Sequence, residues 1–177
     1  MRNFVVLVLA GFGLLTLALV VRSGMFARKN PGRPINSVMR LSMENAGIPE
    51  FSGEDAMILA KQYGNASRLP SGLLFVRRVA GTGDTPHEGQ EVVVHYDGRL
   101  LNGQRFDSSY DRGTPYTFRL GAGTVIPGWE EAFLHMRKGE KRTLIIPYWL
   151  AYGLEGRPPK IPPRAALVFD VELLDIR

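Results

Sequence analysis

"VIPGWEEAFLHMRKG", Val125 to Gly139, is the stretch that decides the fold. Ile126 precedes a proline and is expected to be extended. Pro127 suits the first position of a helix, where its missing N–H costs nothing. Trp129, Ala132, Phe133 and Met136 then fall at i, i+3, i+4 and i+7, an apolar stripe along one face. Arg137 and Lys138 suit the negative end of that helix and Gly139 its stop. Glu130 and Glu131 beside Trp129 read either as the acid and base of a hydrolase or as two charges in a first helical turn. Both lie off the stripe, and an acid at an exposed helix N-terminus is worth about 0.3–1 kcal/mol. The expectation is a structural role at the surface for both glutamates, with Trp129 as the functional residue.

Around this one good helix the chain reads as short strands and Gly/Pro turns. Leu73–Val79 is a candidate strand, and "GTGDTPHEGQ" after it is turn material. It is no nucleotide loop, because Gly81 and Gly83 are followed by Pro86 and not by a third glycine opening a helix. "EVVVHY" alternates, with Val92, Val94 and Tyr96 on one face and Glu91, Val93 and His95 on the other. "DGRLLNGQRF" reads as a turn, a few extended residues and a second turn, with Arg105 and Phe106 extended after it. "YTFRL" and "EKRTLIIP" are further strands. In the closing "AALVFDVELLDI", Leu167, Phe169, Val171 and Leu173 face one way and Val168, Asp170 and Glu172 the other. One buried and one wet face describe an antiparallel sheet. The fold class is α+β, with one short helix laid on the concave face of that sheet.

Composition narrows the chemistry. The 177 residues contain no cysteine, which excludes disulfides, thiol catalysis and thiolate metal sites. The net charge of +5 is unevenly placed. The first 40 residues hold six bases and no acid, leaving 16 bases against 17 acids in the remainder. The globular part has no basic footprint for phosphates, so no nucleic-acid partner is expected. His87, His95 and His135 form no set with serine and aspartate, and His95 reads as a surface histidine.

Phe4 to Val21, "FVVLVLAGFGLLTLALVV", is 18 residues without charge between Arg2 and Arg22. As a helix it is roughly 27 Å long, near the hydrocarbon thickness of a bilayer. Residues 1–22 are expected to be a signal anchor or signal peptide. Met25 or Arg22 would stand at −3 of the available cuts, which disfavours cleavage. The bases after the segment argue by the positive-inside rule for a cytoplasmic domain. The short basic head argues for export, and the expectation is an extracytoplasmic, periplasmic-type location. Residues 23–71 read as a spacer, with one short helix from Glu54 to Tyr63 capped by Ser52 and stopped by Gly64, and a weaker one from Ser37 to about Ala46. The folded domain is expected to occupy residues 72–177.

Four stretches in one order, "VVVHYDGRLLNGQRFDSSYDRGTPYTFRLG", "VIPGWEEAFLHMRKGEK", "LAYGLEGRPPKIPP" and "ALVFDVELL", resemble the FKBP-type peptidyl-prolyl cis–trans isomerases over about Gly81 to Ile176. The resemblance implies a half-open sheet wrapped on the helix, with an apolar pocket between them. It implies that Trp129 forms the pocket floor, that Tyr96, Phe106 and Phe169 form its walls, and that Val125 and Ile126 line a rim, where the Ile126 N–H bonds substrate. Asp107 and Tyr152 would supply polar contacts. Tyr116, standing where the family usually has phenylalanine, Ala151, Arg157, Lys160 and Ile161 would bind substrate, with Ile161 in the loop over the pocket. Thr124, Arg157 and Lys160 depart from the family pattern, and the two cations should shift preference for residues flanking the substrate proline. The inserted domain of chaperone-type members and the His-rich metal tail are missing.

An X–Pro rotation loses amide resonance against a barrier of about 18–20 kcal/mol. The twisted amide is less polar than the planar one, so an aromatic pocket should favour it by differential binding alone. No nucleophile, metal or cofactor is expected. The partners implied are proline-containing chains, macrolides such as rapamycin, and a membrane through residues 4–21. The alternative is a non-catalytic docking or chaperone module that uses the same pocket to hold peptides or macrolides.

Overall fold

A computed structural model describes residues 50–177 and, before them, Asn45. The apolar Phe4–Val21 segment and almost all of the second expected helix lie outside the described residues. Among the described residues no helix is long and apolar enough to cross a membrane. The elements are α1 (Gly53–Tyr63), β1 (Ser67–Arg68), β2 (Leu74–Val79), β3 (Glu91–Leu100), β4 (Arg105–Ser108), β5 (Tyr116–Arg119), α2 (Pro127–Leu134), β6 (Lys141–Ile146), a 3₁₀ turn (Tyr148–Leu150) and β7 (Leu167–Ile176).

All strand pairs are antiparallel, in the order β1-β2-β6-β7-β3-β4. β5 shares the β4 edge of β3: it pairs with Glu91–Val94 while β4 pairs with Asp97–Arg99. The ends of the order do not meet, so the sheet is half-open, and α2 fills its concavity. Trp129, Ala132 and Phe133 of α2 join one buried cluster with Val92, Val94, Tyr96, Phe118, Leu144, Ile146, Phe169 and Val171. The helix lies so close to β6 that a Cβ on Gly128 would stand 2.5 Å from Ile146 Cγ2. Only glycine allows that approach.

α1 starts as its sequence dictates. Ser52 is extended and its hydroxyl accepts from the Asp55 N–H at 3.0 Å, satisfying one of the donors every helix start leaves open. α2 starts as expected too, with Ile126 extended and Pro127 in the first turn. Its end comes early. The helix stops at Leu134, short of Gly139: the next donors, His135 and Met136 N–H, tighten onto Ala132 O and Phe133 O three residues back, and beyond them Lys138 N–H goes to Asp84 O and Gly139 N–H to Leu173 O. Met136 stays fully buried although it lies past the helix.

Three further expectations are corrected. The turn expected at Asp97–Gly98 is strand, because β3 runs on to Leu100 and the reversal comes only over Leu101–Gln104. The second face of the sheet is not simply wet. Val168 and Ile145, on that face, are 1% and 0% exposed and pack with Val76, Leu101, Ala166 and Tyr63, against Ile58 and Leu59 of α1. For the same reason the folded unit begins before Gly72, since α1 covers the sheet and β1 belongs to it.

Candidate functional site

Alternation along the strands delivers the site. In β3, Tyr96 points to the α2 side; in β7, Phe169 does the same; in β4, Phe106 and Asp107 flank the opening. Between them Gly98 has no side chain, and a Cβ there would meet Phe169 at 2.7 Å and Phe106 at 3.0 Å. Those two rings meet edge-on, with centroids 5.5 Å apart and planes at 85°. Trp129 is the hub: its ring lies 5.0 Å from Tyr96 and 5.2 Å from Phe169, both near perpendicular, and 6.2 Å from Tyr116. Such edge-to-face pairs add about 0.5–1.5 kcal/mol each beyond burial, so the rings hold each other while a hollow stays open.

The hollow is a cavity of about 620 Å³ lined by Tyr96, Phe106, Asp107, Tyr116, Val125, Ile126, Trp129, Ala151, Tyr152, Arg157 and Phe169, together with Arg112, Thr124 and Pro127. The structure thus brings most of the sequence-expected residues to one place. Ile161 is corrected: it is 3% exposed, packs in the main core and does not line the cavity. It anchors its loop from below. Lys160 lies beside the cavity, where its Nζ donates to Phe106 O at 3.1 Å. Another concavity, of about 490 Å³ between α1 and the Pro162–Ala166 segment, contains none of these residues.

Arg112 is a residue that sequence reasoning missed. Its guanidinium donates to Asp107 Oδ1 at 2.6 Å and to Tyr96 Oη at 2.7 Å, while Tyr96 Oη donates to Asp107 Oδ2 at 2.5 Å. The signal was present in "DSSYDRG": a base five residues after a pocket acid in a turn-rich segment. Burial, then the Asp107 carboxylate, push the Tyr96 phenol up to about 12. Burial would raise Asp107, but the hydrogen bonds from Tyr96 and Arg112 outweigh it and hold the carboxyl below its usual range. Near neutral pH the phenol keeps its proton and the carboxylate stays charged.

The two glutamates are not surface charges. Glu130 is 2% exposed, and its carboxylate accepts from the Gly121 N–H at 2.7 Å and the Gly123 N–H at 3.2 Å. It thereby ties the loop leading into Thr124, Val125 and Ile126 to the helix that carries Trp129. Glu131 accepts from Ser71 Oγ at 2.6 Å, and burial raises its pKa. Among the described residues the Ile126 N–H has no hydrogen-bond partner. The Trp129 indole N–H is the one buried side-chain polar atom there without a partner. His95 is also more than a surface residue, since Nδ1 sits 2.9 Å from Ser109 Oγ and the ring stacks on Tyr110 at 4.4 Å. Among the described residues no cluster of His, Asp and Glu could hold a metal ion.

The family model described as FKBP-type peptidyl-prolyl cis–trans isomerase matches residues 83–174. Peptidyl-prolyl cis–trans isomerase FKBP15-2 of Arabidopsis thaliana is 44% identical over 117 residues, 66% of this chain and 71% of that protein. FkpA of Escherichia coli K12, an FKBP-type peptidyl-prolyl cis–trans isomerase, is 50% identical over 107 residues, 60% of this chain but 38% of its own length. FK506-binding protein 4 of Dictyostelium discoideum is 48% identical over 68% of this chain, which spans only 33% of that protein. The crystal structure of AtFKBP13 superposes with a TM-score of 0.61 at 46% identity, covering 63% of this chain and 98% of that one.

Proposed function

The chain belongs to the FKBP-type peptidyl-prolyl cis–trans isomerases, and we propose that its pocket rotates X–Pro bonds in protein chains without covalent or acid–base chemistry. The observation that carries this reading is the Tyr96–Asp107–Arg112 network at the mouth of an aromatic cavity. A phenol raised to about 12 and a carboxylate held below its usual range make a poor acid and a poor base at neutral pH. What remains is binding. The proline ring enters the cavity over Trp129, and the unpartnered Ile126 N–H takes a carbonyl of the peptide. Removing the amide from water favours the twisted, less polar geometry over the planar one. Each 1.36 kcal/mol of that difference is tenfold in rate.

The test is the cis-to-trans relaxation of an X–Pro tetrapeptide with the full chain added. The expected result is an acceleration that rapamycin abolishes and that is flat across about pH 6 to 8. Peptide binding with no acceleration would instead favour a holding module. We further infer that Phe4–Val21 serves as an uncleaved membrane anchor, with the domain outside the cytoplasm. Its 18 uncharged residues and short basic head support this. Added protease should digest the domain on intact spheroplasts, and a protected domain overturns that placement.

A further inference from the structure

The cations at the mouth of the cavity are not equivalent. Arg112 is neutralised by Asp107 at 2.6 Å, and Arg105 pairs with Asp97 and Asp111. Arg157 and Lys160 are both exposed, and neither pairs with a carboxylate among the described residues, Glu155 included. The Arg157 guanidinium lies over the Tyr152 ring, 5.7 Å from its centroid, and so faces the cavity. Lys160 stands where the cavity continues into a shallow groove past Phe106 and Asp107.

These charges are also held in place. Arg157 and Ile161 exchange backbone hydrogen bonds of 2.8 and 3.1 Å, which closes the loop that carries both cations. The 3%-exposed Ile161 pins that loop to the core. Two positive charges without a carboxylate partner among the described residues thus border the hollow beside the mutually paired Asp107 and Arg112, on ground that residues flanking a bound proline must cross.

We propose that the pocket selects X–Pro segments with a carboxylate on a residue flanking the proline, through Arg157 and Lys160, and disfavours segments with an ammonium there. The inference rests on the isomerase reading above. Each exposed pair contributes modestly, but exchanging glutamate for lysine removes an attraction and adds a repulsion. The preference must also weaken with salt, as the screening length falls from about 10 Å at 0.1 M to about 3 Å at 1 M.

The experiment uses the full chain and tetrapeptide-based substrates that differ only in Glu, Gln or Lys at one flanking position, before or after the X–Pro pair. The expected kcat/KM ratio of Glu to Lys peptides is about three- to tenfold at low salt, with Gln between, falling toward one in 1 M salt. Arg157→Gln/Lys160→Gln should bring the ratio near one, and Arg157→Glu/Lys160→Glu should invert it. A wild-type ratio within twofold at both positions overturns the proposal, and so does a ratio that the double Gln variant leaves unchanged. If no peptide is turned over, the isomerase reading itself fails. Dissociation constants of the same peptides, fluorescently labelled, then decide the charge preference separately, with the same ratios expected.

Discussion

Val168 and Phe169 are neighbours in β7 and serve opposite faces of the sheet. Phe169 joins Tyr96, Phe106 and Trp129 around the cavity, and Val168 joins Ile145, Val76 and Tyr63 beneath α1. Both are under 5% exposed, so burial alone does not distinguish them. The α1 side is filled mainly by branched aliphatics, whose contribution follows their volume. The α2 side is built from rings set edge to face, so that a hollow persists with one buried indole N–H unpaired. One face is optimised for filling space and the other for keeping it open. Damage to the first should therefore cost stability, and damage to the second should cost stability and rate together.

The sharpest way to break this comparison is to truncate both neighbours. Phe169→Ala should destabilise by about 3–5 kcal/mol and lower kcat/KM of the folded molecules more than about tenfold. Val168→Ala should cost about 1–3 kcal/mol and leave the rate of the folded fraction within about twofold. Denaturant titration with peptide relaxation on the same samples separates the two effects. Equal rate losses would erase the distinction.

Next in size is Glu130→Gln. An amide can accept only through its oxygen, so one of the two loop bonds is lost, at a cost of about 1–3 kcal/mol. Because the loop leads to Ile126, kcat/KM should fall as well, by about three- to tenfold. Glu131→Gln keeps an acceptor for Ser71 Oγ and should change the rate little. Tyr96→Phe comes third: it removes two hydrogen bonds of the network, to Asp107 and from Arg112, leaves Arg112 on Asp107, and should lower kcat/KM about threefold to tenfold while the fold is kept.

The smallest effects are in pH dependence. Glu140 is buried, and burial alone would raise its carboxyl, but bonds from Arg142, the Arg137 N–H and Arg77 hold it below its ordinary range. A folded-state value below the unfolded one stabilises above the ordinary carboxylate range, and that stability is lost as pH falls through the folded value. Glu140→Gln should flatten this acid arm of a denaturation series. Tyr96 has the opposite sign. Its phenol, raised to about 12, contributes stability that is complete below its ordinary 10.0 and fades as pH rises toward the folded value. Tyr96→Phe should remove that alkaline arm.

What could be read in the sequence was whatever local chemistry decides. The Ser52 cap, the Pro127 start of α2 and the alternation of β3 and β7 each depend on residues within a few positions of one another. What could not be read depends on partners far along the chain. α2 does not run on to Gly139, where Lys138 and Gly139 find acceptors in Asp84 and Leu173. Glu130 looks like a surface charge until Gly121 and Gly123 turn their N–H groups toward it. Val168 sits among polar neighbours in β7, and only the position of α1 makes it core. Family resemblance pointed to most of the pocket, yet it set Ile161 over the opening when the side chain points into the core, and it passed over Arg112.

The Glu130 tether has a consequence for the heat of ligand binding. Floor and rim of the pocket hang on one helix, so the amide that meets the peptide is oriented when the chain folds. Its ordering is not left to the moment of encounter. Calorimetry of a proline ligand should then show a negative heat-capacity change that matches the apolar area covered, and not the greater change of a segment that orders on binding. With the tether cut, the heat-capacity change should grow beyond what the covered area explains.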